Sequence, residues 1–102
     1  VIRLSRTARS QIADLVRHHE ALERPEAIRN LRAALTRAAE RIEQRRGSFM
    51  PAPRPYPRLQ RPGWLWLKEP PYWIAHAADA RGPVIRAIFH ESADMPARLP
   101  ED

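Results

Sequence analysis

The chain has 102 residues and no cysteine, which leaves room for one domain with one modest core and excludes disulfides, thiol catalysis and cysteine-ligated metals. Apolar residues make up 43% and charged residues 29%, the balance of a globular protein, and no apolar run approaches the length of a membrane span. Basic residues outnumber acidic ones by 18 to 12, and all but Lys68 of the lysines and arginines are arginine, whose guanidinium fork matches phosphate and carboxylate geometry, so acidic partners are expected.

In chain order, Val1 to Leu4 reads as a short strand. Ser5 is a good helix N-cap, and from there Ala8, Ile12, Leu15, Val16, His19 and Leu22 recur at steps of three and four, one stripe of an amphipathic helix. The pattern breaks at Glu23-Arg24. Pro25 suits the first turn of a second helix, because the N–H it lacks has no partner there. Ile28, Leu31, Leu35, Ala38 and Ile42 form its stripe, with a stop expected at Gly47 and Arg45 and Arg46 beside the negative end of the dipole. Residues 5–46 therefore read as a helical hairpin.

Composition then changes. Pro51, Pro53, Pro55, Pro57 and Pro62 exclude a long helix or a central strand, so 47–63 is expected to be an extended surface loop. Trp64 to Lys68, Tyr72 to Ala77 and Val84 to His90 follow as three short strands, with Asp79-Ala80-Arg81-Gly82-Pro83 as a turn and 93–102 as a tail. The expected architecture is a single α+β domain over 1–102, ordered β-α-α-β-β-β, with the hairpin packed on one face of an antiparallel sheet. Two of the three tryptophans are expected in the core against that hairpin.

Four histidines show no spacing that recommends a metal site, and neither a GxSxG setting nor a Gly-rich phosphate loop is present. No cofactor is expected. Basic side chains beside aromatics remain. Lys68, His76 and Arg86 fall on the expected sheet near Tyr72, Trp64, Trp66 and Trp73, an array that could hold and cleave RNA by stacking, phosphate binding and proton transfer.

The stretch Tyr72-Trp73-Ile74-Ala75-His76, then Asp79-Ala80-Arg81-Gly82, then Val84 to His90 and Asp94-Met95-Pro96, resembles the C-terminal half of the RelE/ParE family of bacterial toxins. Val1 to Ser5, Ala8, Ile12 to Leu15 and Pro25-Glu26-Ala27 are similar to the opening strand and helices of that family. The resemblance implies a β-α-α-β-β-β fold and a cytoplasmic toxin held in a hetero-oligomeric complex with a cognate antitoxin. RelE-like members cut mRNA on the ribosome; ParE-like members poison DNA gyrase. Here Glu91-Ser92-Ala93 stands where arginines are common, no tyrosine follows Phe89, and lysine occurs once. These departures, with the closely joined hairpin, make the chain more similar to ParE, with gyrase as target and no catalytic residues. Were it a nuclease instead, Lys68, His76, Arg86 and His90 would carry the chemistry. A small basic binding module without toxicity is a third reading.

The antitoxin surface is expected on the hairpin arginines Arg29, Arg32, Arg37 and Arg41 and on the loop arginines Arg54, Arg58 and Arg61. Tyr56 and Trp64 are expected as apolar anchors. No membrane contact is expected.

Overall fold

The structure is a computed structural model that describes residues 2–45, 47–53 and 56–92. Arg46, Arg54 and the expected tail at 93–102 lie outside the described residues.

Strand β1 is Arg3–Leu4 and leads directly into helix α1, Arg6–Ala21. Ser5 caps α1: its Oγ accepts from Ala8 N at 3.1 Å, which satisfies one of the helix's orphan N–H donors. The same residue ties the helix to the sheet, for Ser5 N donates to Ile85 O at 2.9 Å and Ser5 Oγ to Arg86 O at 3.0 Å. Glu23, at φ 53°, turns the chain, and helix α2 runs Pro25–Glu43 with Pro25 in its first turn. Leu31, Ala34, Ala38 and Ile42 are its buried stripe, spaced by three and four. The helix stops four residues before Gly47. Arg45 takes the left-handed conformation (φ 54°) that ends helices, a position where glycine is the usual occupant.

Strands β2 (Leu65–Glu69), β3 (Tyr72–Asp79) and β4 (Gly82–His90) form an antiparallel meander, and the sheet order is β1-β4-β3-β2. The sheet is mixed rather than antiparallel throughout. β1 pairs parallel with β4, Arg3 opposite Val84 and Leu4 opposite Ile85, while the helical hairpin leads away from β1 across one face. A bulge interrupts the β3–β4 pairing at Ala75/His76, where Arg86 has no partner across the ladder.

Two clusters of buried residues lie on opposite faces of this sheet. On the helix side Ala8, Leu31, Ala34, Ala38 and Ile42 meet Leu67, Tyr72, Ile74, Ile85 and Ile88, with Ile12, Leu15 and Leu35 packed at the margin. On the other side Trp66, Trp73, Ala75, Ala87 and Phe89 pack under Leu59, Met50, Tyr56 and Trp64. The proline-rich segment is therefore a third layer and not a surface connection. Pro53 is fully buried, Leu59 is 3% exposed, and Pro57–Leu59 forms a 3-10 turn over the tryptophans. Met50 exchanges two backbone hydrogen bonds with Trp66, at 2.9 and 2.6 Å, and so pins the loop to β2.

This arrangement corrects the expected place of the tryptophans. Side chains alternate along a strand, so Leu67 and Ile74 face the helices while Trp66 and Trp73 face the loop. A face carrying two indoles and Phe89 cannot be left to water, and the loop covers it. Trp66 stacks on Phe89 with ring centres 6.4 Å apart. Coverage of both faces also explains the unbroken buried run from Tyr72 to His76.

Candidate functional site

The four residues that a nuclease would bring together are held apart. Lys68 lies on the loop face of β2, 5.3 Å above the Trp73 ring, with its Nζ 2.9 Å from Glu91 Oε2. That ammonium holds the Glu91 carboxyl below the usual range, by hydrogen bond first and charge second. His76 is on the opposite face, 7% exposed, with its ring against the edge of Phe49 at 4.7 Å. Burial, and then the charge of Arg41, push its pKa down. Arg86 sits at the bulge, beside β1. His90 ends β4, its Nδ1 2.8 Å from Ser92 Oγ and its ring perpendicular to that of Tyr72. His76 pairs with Ile85 and His90 with Tyr72, four residues apart along β3, or roughly 13 Å at strand spacing.

The expected partner surface divides in a similar way. Arg29 and Arg32 are exposed on α2. Arg41 and the still exposed Arg37 instead pair with Glu69, which accepts from Arg37 Nε and Arg41 Nη1 at 2.8 Å each. Arg54 lies outside the described residues. Tyr56 and Trp64 pack on the chain's own second cluster. Arg58 is exposed, and the partly buried Arg61 reaches back to the carbonyls of Arg58 and Gln60.

Two clefts emerge that residue spacing alone did not single out. The first, of about 670 Å³, lies between α1 and the end of β4 and is lined by His18, His19, His90, Arg24, Gln11 and Ser92 among others. His19 is 9% exposed, and neither ring nitrogen has a hydrogen-bond partner among the described residues. Burial lowers its pKa, with the charges of His18, Arg24 and His90 adding to the effect. Among the described residues no three histidine or acidic side chains converge closely enough to hold a metal ion. The second cleft joins β1, the start of α1 and the β3–β4 turn, and it gathers Arg3, Arg6, Arg9, Arg81 and Arg86. The recurrence of arginine at every third position from Arg3 to Arg9 is the sequence signal for it. No described helix is long and apolar enough to cross a membrane.

Compared with known proteins, the chain matches no family model and no curated sequence.

Proposed function

We propose that the chain is a toxin of the RelE/ParE type that acts by binding rather than by cutting RNA. In this reading it is closer to ParE, poisons DNA gyrase in the cytoplasm, and is neutralised by a cognate antitoxin in a hetero-oligomeric complex. The observation that carries the reading is the order of elements, one strand, two closely joined helices and three strands, with the hairpin packed on the sheet. That is the order implied by the sequence resemblance. The separation of Lys68, His76, Arg86 and His90 favours binding over catalysis, because acid–base chemistry needs its groups within hydrogen-bond reach of one bond. Of the arginines expected on the partner surface, Arg29, Arg32 and Arg58 are exposed and lie outside the Glu69 pairs, which leaves them to an acidic, wrapping antitoxin.

The test is induced expression of the chain alone, read by plasmid supercoiling and by mRNA integrity in the same cells. Gyrase poisoning should give broken or relaxed DNA with intact message. Message cleaved at ribosomes with normal supercoiling would replace this reading with the nuclease, and unaffected growth would replace it with a non-toxic binding module.

A further inference from the structure

The start of α1 gathers positive charge of which the fold pairs Arg3, with Asp79, and leaves Arg6, Arg9 and Arg81 exposed. A cleft of about 560 Å³ there is lined by five arginines, Arg3 from β1, Arg6 and Arg9 from the start of α1, and Arg81 and Arg86 from the β3–β4 hairpin. Asp79 is the single carboxylate among the lining residues, and it is paired with Arg3. Arg6, Arg9 and Arg81 are exposed, and the first turn of α1 contains no acidic residue. Arg86, left without a ladder partner by the bulge, has a buried Nε that meets no hydrogen-bond acceptor among the described residues. Cations belong at the C-terminal end of a helix. At the N-terminal end they repel both the dipole and one another, so this cluster lowers the stability of the free protein. An anion in the cleft adds attractions to the dipole and to each guanidinium, and these offset those repulsions.

We propose that this cleft binds the phosphate backbone of double-stranded nucleic acid without regard to base sequence. Guanidinium forks hold phosphate oxygens in pairs, and such contacts supply affinity without reading bases. No aromatic residue lines the cleft, which disfavours single strands, since these are held largely by stacking. The tryptophans are committed to the loop-covered face on the other side of the sheet. The exposed large apolar residues among those described are Leu22 and Leu65, neither of them in the cleft. A lipid surface or a protein partner would need such anchors there.

The full chain is titrated into a fluorescein-labelled DNA duplex of arbitrary sequence, and anisotropy is followed between about 50 and 200 mM salt. Binding should weaken along a log–log slope of about −3 to −4, one counterion for each arginine outside the Arg3–Asp79 pair. The double variant R6E/R9E should lose at least about tenfold in affinity, whereas R17E/R45E, the same charge change at exposed arginines outside the cleft, should lose less than about twofold. R6E/R9E also places carboxylates at the helix N-terminus, so its thermal midpoint should hold or rise, which separates lost binding from lost folding. Absence of salt-dependent duplex binding would overturn the proposal. So would equal losses in the two double variants, or a single strand or polyglutamate binding as tightly as the duplex.

Discussion

Glu69 on β2 and Arg41 on α2 are joined by an ion pair, Nη1 to Oε2 at 2.8 Å, that fixes the second helix over the edge of the sheet. Arg37 closes the other side of the same carboxylate, also at 2.8 Å. Arg41 donates further to the Lys68 carbonyl at 3.1 Å. Gly47 follows close by at φ +97°, where an added Cβ would come within 2.5 Å of the Arg41 guanidinium. Two arginines that sequence alone offers to a partner thus pair with a carboxylate of the chain itself.

Glu69→Ala should cost about 2–3 kcal/mol, less than the roughly 3–5 kcal/mol of a fully buried pair, because Arg37 stays half exposed to water. Burial alone would raise the Glu69 carboxyl. The hydrogen bonds from Arg37 and Arg41 outweigh it and hold the pKa below its usual 4.5. Its contribution is therefore complete above pH 4.5 and is lost as pH falls through the folded-state value. Urea unfolding of both proteins at neutral pH and below pH 4.5 checks this; the gap between them should narrow in acid.

Leu59→Ala tests whether the proline-rich segment is core. A leucine 3% exposed against Trp66 and Trp73 should cost about 2–4 kcal/mol and shift tryptophan emission toward the red. A leucine on a surface loop would cost under about 0.5 kcal/mol. Equilibrium unfolding followed by fluorescence distinguishes the two.

Stability should fall as the solution is acidified from about pH 6.5 toward 5. His19 and His76 are both pushed below the usual 6.5, each chiefly by burial, with His18, Arg24 and His90 acting on the first and Arg41 on the second. The unfolded chain then takes up protons before the folded one, so the loss begins near pH 6.5 and ends at the folded-state values. His19→Leu and His76→Leu should each flatten the curve in this window, measured as denaturation midpoint against pH.

The helices were legible because their signals are local. Ser5, Pro25 and the three-and-four spacing through Leu31, Ala34, Ala38 and Ile42 require no knowledge of the rest of the chain. The parallel placement of β1 beside β4 was not legible, since two residues of strand carry no mark of the neighbour 81 positions away. The loop misled for a different reason. Proline density excludes long helix and central strand, but it does not exclude burial, and Pro53 and Leu59 find apolar partners on a sheet face that period-two alternation had already made aromatic. The arginines could be counted but not assigned, because only the fold decides which of them meets Glu69 and which meets water.

If the chain acts by binding, K68A and H90A should leave its toxicity within about twofold, whereas losing an acid–base group from a nuclease costs about a hundredfold or more. The pair is chosen on structural grounds. Lys68 is exposed and held by Glu91 and the Trp73 face, and His90 lies at the end of β4 against Tyr72 and Ser92, so neither change opens the core. His76 is unsuited to this test, because its burial against Phe49 would confuse lost chemistry with lost folding. Arg86 is unsuited as well, because it lines the arginine cleft. Lys68 and His90 also point to opposite faces of the sheet, one toward the loop layer and one toward α1. Colony formation on induction gives the toxicity, and circular dichroism of each purified variant confirms the fold. Loss of both killing and message cleavage in either folded variant would return Lys68 and His90 to a nuclease site and remove gyrase as the target.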